Sequence, residues 1–314
     1  MLRFLPAALV AFLPLGAVAQ EVPGVRVTLT TPRSLVAAGS NVELRLVLQV
    51  DADAQVPGDL LTGTNLAVTV GDKPGPRIEE AGKGGTVALT AGTRIERTLS
   101  IPSDRFVPNA DPSAIAYVAV AWNGLAGANC VFKLAPDSSK VDLAALDFAK
   151  TQVVLVTSHG EMTLSFRPDK APRSVENFLK LCKSGFYDGT KFHRVIRNFM
   201  IQGGDPNTKD DAKQDQWGLG GPGYSVDAEF NDLKHVRGTL SMARSNDPNS
   251  AGSQFFIVHK DSAHLDGQYT AFGNLESGAD TLDSIANTPC GGPQNSTPQK
   301  PVVLFSAILL PVKK

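Results

Sequence analysis

A stretch of 15 residues, 191–205, gathers side chains that could form one side of a binding groove. It contains the cation of Arg194, the apolar side chains of Phe199 and Met200, and the amide of Gln202. A Gly-Gly pair lies near its end, and glycine in a strand interior weakens the strand. The mixture is too charged for a core strand and too apolar for a solvated loop. We therefore interpret the stretch as half of a binding groove.

The remaining patterns predict neither a metal site nor a bound cofactor. The 5 histidines and 3 cysteines of the chain show no paired ligand spacing. Residues 218–223 have the Gly-x-Gly-x-x-Gly spacing of a dinucleotide loop, but no strand leads into them and Pro222 prevents a helix from following directly. For the cysteines, buried or idle thiols are favoured, and one disulfide in an oxidising compartment is the alternative.

Length and composition leave room for two domains of ordinary size. The chain has 314 residues, of which 42% are hydrophobic and 19% are charged, as is normal for a soluble globular protein. The formal net charge is -1, so the sequence has no basic excess. Neither nucleic acid nor an anionic membrane is therefore expected as a partner.

The first residues have the layout of a secretory signal peptide. Arg3 precedes an apolar run over residues 4–15, and small residues surround a cleavage site after Ala19. The alternative is a membrane anchor, but Pro6 and Pro14 interrupt the run, and it is shorter than the roughly 20 apolar residues that a spanning helix needs. We expect a signal peptide over residues 1–19, a secreted or periplasmic protein, and no transmembrane segment in the mature chain.

The next part of the chain, residues 20–135, reads as short strands separated by turn residues. In the clearest strand, residues 42–50, the even positions are apolar and polar side chains fall on the other face, which indicates a half-buried strand. Seven such strands predict a β-sandwich of immunoglobulin-like size; they cover residues 25–30, 42–50, 66–70, 86–89, 94–101, 115–122 and 130–134. No residues here suggest catalysis, and Trp122 is expected in the core. The favoured role is a spacer or docking module.

A polar segment, residues 136–150, is predicted to be a linker that leads into a second domain, residues 151–314. A hairpin pattern over residues 152–166 opens this domain. A helix is predicted to start at Pro172 and stop at Gly185, with one buried apolar stripe formed by Val175, Phe178, Leu179 and Cys182. A second short helix is expected over residues 278–286. Many antiparallel strands with two helices favour a closed barrel or a sandwich.

Five ordered blocks in this second domain resemble the cyclophilin-type peptidyl-prolyl isomerases. The blocks are Phe192–Ile196, Phe199–Asp205, Leu240–Ala243, Gly252–Ile257 and Leu265–Gly267, the last followed by Phe272-Gly273. The resemblance covers residues 151–310 and implies an eight-stranded antiparallel barrel capped by two helices. It does not cover residues 20–145. The mainly β fold predicted from the strand pattern agrees with this implication.

Residue by residue, the resemblance implies a catalytic arginine, Arg194, assisted by Gln202. The residues implied to bind the substrate are Phe199, Met200, Ala243, Arg244, Gln254, Phe256, His264, Leu265 and Tyr269. Two of them depart from the family pattern, because His264 stands where many members have tryptophan and Tyr269 where many have histidine. We expect the loss of the indole to weaken binding of cyclosporin-type inhibitors more than peptide turnover.

The function implied by the resemblance is rotation of X-Pro peptide bonds in exported or unfolded proteins, without a covalent intermediate and without a cofactor. Its substrates are proline-containing polypeptides, and residues 20–135 could add an envelope or protein partner. The alternative is a peptide-binding or chaperone module in which isomerase activity is vestigial and the first domain docks a partner. The intact set of Arg194, Gln202 and Phe256 argues against this alternative.

Overall fold

A computed structural model describes residues 21–33, 35–108, 115–123, 125, 128–135 and 137–312. The predicted signal peptide and its cleavage site lie outside these residues. The chain forms two compact units, with the division between Ala135 and Pro136. Within the described residues, no helix is long and apolar enough to cross a membrane.

The first unit is built from β-strands. A three-stranded sheet has the order β1-β3-β8, a five-stranded sheet has the order β2-β10-β9-β5-β6, and β4 pairs with β7. The strands are β1 Val25–Thr30, β2 Leu35–Ala37, β3 Asn41–Val50, β4 Ala54–Pro57, β5 Thr64–Val70, β6 Lys73–Glu80, β7 Thr86–Leu89, β8 Arg94–Pro102, β9 Ala116–Trp122 and β10 Asn129–Ala135, with one short helix, α1 Gly58–Thr62.

Alternating side chains from these sheets form one core. Val42, Leu44, Leu46 and Leu48 of β3 are each 0% exposed, as the period of two predicts. Trp122 is 5% exposed and belongs to the same core, so its predicted role is confirmed. Alternation therefore identified the core face of this unit.

Three strands of this unit were missing from the sequence prediction: β2, β4 and β6. β2 and β4 are only 3 and 4 residues long, too short to show an alternating pattern. β6 contains two prolines, a glycine and four charged residues, and it lies at the edge of the five-stranded sheet. Proline is tolerated there because one side of an edge strand forms no ladder. Such strands lack the apolar alternation on which the prediction depended.

The second unit contains one eight-stranded antiparallel sheet and two helices of ordinary length. The sheet has the strand order β13-β14-β16-β15-β17-β12-β11-β20, and β18 pairs with β19. The elements are β11 Gln152–Thr157, β12 Gly160–Phe166, α2 Pro172–Lys183, β13 Arg194–Ile196, β14 Met200–Gly203, β15 Thr239–Met242, β16 Phe255–Val258, β17 Ala271–Ser277, α3 Ala279–Ala286, β18 Cys290–Gly291, β19 Thr297–Pro298 and β20 Leu304–Leu310.

Backbone hydrogen bonds cover the two end strands of this sheet. The Val195 amide of β13 donates to the Ser296 carbonyl at 2.7 Å, and the Leu304 amide of β20 donates to the Thr190 carbonyl at 2.8 Å. Strand edges that would otherwise be unpaired are thereby covered. The predicted eight antiparallel strands and two helices are confirmed for this unit, and the sheet forms a half-barrel.

Helix α2 buries the stripe that the sequence predicts. Val175, Phe178 and Leu179 are 0% exposed and Cys182 is 2% exposed, and all four belong to the core of the second unit. Pro172 occupies the first turn, where its missing N–H costs nothing. The three cysteines of the chain are all free thiols.

Residues 137–150, predicted to be a linker, pack on the second unit. Val141 and Leu146 are 7% and 3% exposed. The Ser138 hydroxyl accepts a hydrogen bond from the Leu309 amide at 3.1 Å, and the Asp147 amide donates to the Val312 carbonyl at 2.9 Å. The structure thus differs from the prediction, because apolar side chains in this short segment are buried against the barrel.

Candidate active site

A short hairpin of β13 and β14 places a cation beside an amide. Arg194 and Gln202 are directly opposite in the antiparallel register, and the Arg194 Nη1 donates to the Gln202 Oε1 at 3.3 Å. Arg194 is half-buried, and burial lowers the pKa of its guanidinium, which nevertheless stays protonated at neutral pH. No carboxylate of the described residues forms an ion pair with it. The guanidinium is thus a fixed positive charge available to a ligand.

A chain of side-chain hydrogen bonds holds that guanidinium in place. The Gln202 Nε2 donates to the Gln254 Oε1 at 3.0 Å. The Gln254 Nε2 in turn donates to the carbonyls of Gly218 and Gly220, at 2.9 and 2.8 Å. Because each amide both donates and accepts, the orientation of one fixes that of the next. The loop containing the two glycines therefore helps to position Arg194.

Asp205 anchors the same loop. Its side chain is 0% exposed, and its carboxylate accepts the amide N–H groups of Asn207 at 2.7 Å, Gly220 at 3.3 Å and Gly218. A Cβ atom at position 220 would lie 2.1 Å from the Asp205 Oδ1, so only glycine fits there. The sequence analysis assigned no role to Asp205. The sequence signal that could have indicated this role is the Gly-x-Gly-Gly run at residues 218–221, whose amides the Asp205 carboxylate binds.

An apolar pocket lies beside the arginine. Met200, Phe256, Val258 and Leu265 are all at most 6% exposed and form a cluster separate from the barrel core. Partly buried apolar side chains surround them, namely Ile196, Phe199, Ala243 and Tyr269. Phe256 is the strand partner of Gln202, so the pocket and the hydrogen-bonded amides are contiguous. The cluster places apolar side chains next to a cation.

Strand alternation divides Phe255 and Phe256 between two environments. Phe255 is 0% exposed and packs edge-on against Phe178, Tyr187 and Phe192 in the barrel core. Phe256, the next residue, belongs to the apolar pocket. The prediction that Phe255 faces the core is confirmed.

Aromatic rings and a second arginine form the rim of the pocket. The rings of Phe199 and His264 have centroids 5.5 Å apart, and those of Phe256 and Tyr269 are 5.8 Å apart. The Arg244 guanidinium stacks on the Tyr269 ring at 4.6 Å. The structure therefore brings all the predicted site residues into one contiguous group. Their individual roles stay predictions.

The sequence analysis missed His235, which lies beneath the pocket. Its ring stacks on Phe256 with centroids 6.0 Å apart. The His235 Nδ1 lies 3.2 Å from the Asp266 carboxylate, and its Nε2 lies 3.0 Å from the Ser241 hydroxyl. His235 is 1% exposed, so its role is to support Phe256 and not to contact a ligand. Only the fold brings these three polar residues together.

Two buried histidines are expected to make the second unit sensitive to acid. Burial lowers the pKa values of His193 and His235 below 6.5. Both rings are therefore neutral in the folded and unfolded chain above pH ~6.5, and neither then affects stability. As the pH falls below that value, protons bind the unfolded chain first, and the free energy of unfolding decreases by up to about 1.4 kcal/mol per pH unit for each group.

Urea unfolding of the chain at pH 7.5 and 5.5 measures this loss of stability. An NMR titration of the ring C–H signals should give midpoints below 6.5 for both histidines. A midpoint above that value for either ring would contradict the prediction.

The described residues contain no group of three or more histidine, cysteine or acidic side chains that could hold a metal ion. The site thus consists of a chain of amides that holds the Arg194 guanidinium, an apolar cluster, and a rim that includes Arg244. Such an arrangement can contact an apolar ring and place a positive charge against an adjacent polar atom. Ser241 lies beside His235, but the two residues are 0% and 1% exposed, so this serine is not accessible as a nucleophile.

Comparison with known proteins identifies relatives of the second unit. A family model described as cyclophilin type peptidyl-prolyl cis-trans isomerase/CLD matches residues 152–308. A peptidyl-prolyl cis-trans isomerase from Synechococcus elongatus is 49% identical over 126 residues, which cover 40% of this chain and 81% of that protein. Peptidyl-prolyl cis-trans isomerase A from Dickeya dadantii is 43% identical over 167 residues, which cover 51% of this chain and 85% of that protein.

Among solved structures, a cyclophilin type peptidyl-prolyl cis-trans isomerase from Cryptosporidium parvum, determined in the presence of the dipeptide Ala-Pro, is 34% identical. The similarity has a TM-score of 0.45 and covers 50% of this chain and 97% of that chain. The family match itself lies entirely within the second compact unit.

Proposed function

The chain belongs to the cyclophilin-type peptidyl-prolyl cis-trans isomerases, and from this premise we propose that Arg194 accelerates rotation of an X-Pro bond whose proline ring occupies the apolar pocket. Members of this family bind proline-containing peptides. The pocket cluster of Met200, Phe256 and Leu265 is the proposed site for the ring. Gln202 and Gln254 are proposed to orient the guanidinium and the peptide backbone.

The chemistry of the bond explains why an arginine suffices. Rotation is slow because twisting the amide breaks its resonance, with a barrier of about 18–20 kcal/mol. In the twisted state the prolyl nitrogen becomes pyramidal and regains a lone pair. A guanidinium directed at that nitrogen binds the twisted state more tightly than the planar one, and such differential binding accelerates the step. No covalent bond forms or breaks, and no proton leaves the substrate.

The observation that carries this proposal is the environment of Arg194, namely the absence of a carboxylate partner in the described part of the chain and the side chains that surround it. Its charge has no carboxylate partner among the described residues, and a chain of amides holds it beside an apolar pocket. A structural arginine of this degree of burial would normally pair with an acid, because an unpaired buried charge is costly. The arrangement is instead suited to a ligand that brings electron density to the guanidinium.

The pocket must lower the activation free energy by at least as much as the arginine does. A hundred-thousandfold acceleration corresponds to roughly 7 kcal/mol, whereas one charged hydrogen bond contributes roughly 1.5–3 kcal/mol. We infer that Phe199, Met200 and Phe256 hold the proline ring still while the preceding carbonyl turns. Exclusion of water by these side chains also strengthens the interaction with the guanidinium.

A proline-isomerisation assay on a short Ala-Ala-Pro-Phe peptide tests the proposed function. The full chain should accelerate cis-to-trans conversion, and the acceleration should depend on Arg194. An aggregation assay on a proline-free client separates the isomerase from a chaperone module with vestigial activity. Suppressed aggregation in that assay, together with no signal in the isomerisation assay, would overturn the proposal.

His264 gives a prediction about inhibitors. The residue is exposed and its ring lies 5.5 Å from that of Phe199, at the rim of the pocket. The variant His264→Trp should bind cyclosporin about 10-fold more tightly, because the indole adds apolar area and carries its single N–H donor farther from the backbone than the imidazole does. Isothermal titration calorimetry measures the affinity. The variant His264→Phe, which adds area without the donor, is the matched control and should gain less.

We further propose that the chain is exported and acts on exported or unfolded proteins. The support is the Arg3-led apolar run and the small residues that precede Gln20. Mass spectrometry of the protein from an expressing culture is expected to find Gln20 at the mature N-terminus, in the periplasm or the medium. A cytosolic protein that retains Met1 would contradict this proposal.

For the first unit we propose an immunoglobulin-like sandwich that docks a partner in the cell envelope. Its three- and five-stranded sheets contribute to one core, which supports the sandwich. Tyr117 and Val131, on neighbouring strands of the five-stranded sheet, are 53% and 63% exposed. A pull-down from an envelope fraction should recover a partner with the full chain and lose it with the double variant Tyr117→Asp, Val131→Asp. Equal recovery with both chains would argue against this face.

A further inference from the structure

The turn between β13 and β14 contains Phe199 and leads directly into Met200. Asn198, in the middle of the turn, has φ 61°, a left-handed conformation that is uncommon for residues other than glycine. One hydrogen bond within the turn, from the Phe199 amide to the Ile196 carbonyl at 3.0 Å, holds it internally. Asparagine adopts this conformation more readily than most residues. Contacts from outside the turn then add to what holds Phe199 in place.

His259, the residue after β16, supplies these contacts. It is 9% exposed. Its Nδ1 accepts a hydrogen bond from the Asn198 amide at 3.0 Å, and its own backbone amide donates to the Phe199 carbonyl at 2.8 Å. The ring and the backbone of one residue thus bind the turn on both sides of the Asn198–Phe199 peptide.

Helix α3 fixes the imidazole in turn. The His259 Nε2 lies 3.0 Å from the Asp283 Oδ1. The Nδ1 accepts a hydrogen bond from a backbone amide. The neutral ring must therefore carry its proton on the Nε2, which donates a hydrogen bond to Asp283. Arg237 completes the arrangement, since its Nη2 lies 2.8 Å from the Asp283 carboxylate and its Nη1 donates to the His259 carbonyl at 3.0 Å.

We propose that His259 is a positioning residue for the isomerase: it connects Asp283 of helix α3 to the turn 197–199 and thereby sets the position of Phe199 in the proline pocket. This inference rests on the proposed function for its kinetic consequence but not for its structural one. His259 lies outside the five sequence blocks that define the family resemblance. One ring nitrogen is directed to the turn and the other to the helix.

Two substitutions separate the two nitrogens of the ring. In His259→Asn the amide oxygen takes the place of the Nδ1, so the hydrogen bond from the Asn198 amide is retained and the contact to Asp283 is lost. In His259→Gln the longer side chain reaches Asp283 in the place of the Nε2 and leaves the Asn198 amide without its acceptor. The two variants are otherwise close in size and polarity, and each serves as the control for the other.

We expect His259→Asn to keep kcat/KM within about 3-fold of the wild type, because the hydrogen bond from the Asn198 amide is retained. His259→Gln should lose about 10-fold in kcat/KM, chiefly through KM, because the pocket binds the proline ring in both the planar and the twisted state. Both variants should have similar thermal midpoints. Equal kinetic losses in the two variants, or full activity in His259→Gln, would overturn the inference.

Hydrogen exchange of the Asn198 amide tests the connection independently of activity. The amide should be protected in the wild type and in His259→Asn, and should exchange at least 10-fold faster in His259→Gln. Unchanged protection in His259→Gln would overturn the inference even in an active enzyme. If the wild type showed no isomerase activity, the proposed function would fail, whereas this exchange pattern would still decide the role of His259.

Discussion

Replacing Arg194 with alanine is expected to lower kcat/KM for proline isomerisation by about 100- to 1,000-fold, the loss that follows removal of one preorganised donor from a developing charge. The guanidinium is the only cation that the amides of Gln202 and Gln254 hold against the pocket in the described residues. The peptide should still bind, because the apolar pocket is unchanged, so the loss should fall mainly on kcat. Stopped-flow isomerisation on a short peptide measures both constants.

Two further variants define what the arginine contributes. Arg194→Lys keeps the charge but not the planar donor geometry, and should recover only part of the activity. Arg167→Ala removes an arginine of the same unit whose side chain is 40% exposed and pairs with Asp169, and should leave activity unchanged. A loss in Arg167→Ala as large as in Arg194→Ala would show that net charge, not placement, matters.

Replacing Phe255 with alanine is expected to lower the free energy of unfolding of the second unit by about 3–5 kcal/mol, the cost of a large-to-small change in a packed core. The ring is 0% exposed and makes edge contacts to three other aromatic rings. The first unit contains one tryptophan, Trp122, and the second contains one, Trp217. Tryptophan fluorescence during urea unfolding therefore reports the unfolding of both units. A Trp122→Phe background restricts the signal to the second unit.

The neighbouring residue provides the matched comparison. Phe256→Ala removes the same atoms from the other side of the strand, where the ring is 5% exposed and belongs to a smaller apolar cluster. Its stability cost should be smaller than that of Phe255→Ala, and its main effect should be a higher KM. Equal stability losses in the two variants would contradict the division of these residues between core and pocket.

Much of the second unit could be predicted from the sequence because the signals there are local. The alternation of β-strands separates Phe255 from Phe256, and the spacing of Val175, Phe178 and Leu179 gives the buried face of helix α2. The family resemblance then identified residues of the groove that are far apart in the chain. By contrast, the edge strand β6 escaped prediction because its prolines and charges do not follow any apolar pattern.

The sequence, through its family resemblance, predicted that a cation, two amides and an apolar set belong to one site, which the stretch 191–205 begins. Only the tertiary structure decided how they are held: Gln202 meets Gln254 across 52 residues of sequence, and Asp205 binds the amides of a loop 13 and 15 residues later. It also showed that His235 supports Phe256 and that His259 binds the turn before Met200. The physical reason is that a polar side chain offers donors and acceptors without specifying a partner, and the partner is set by which backbone groups the fold leaves within 3 Å.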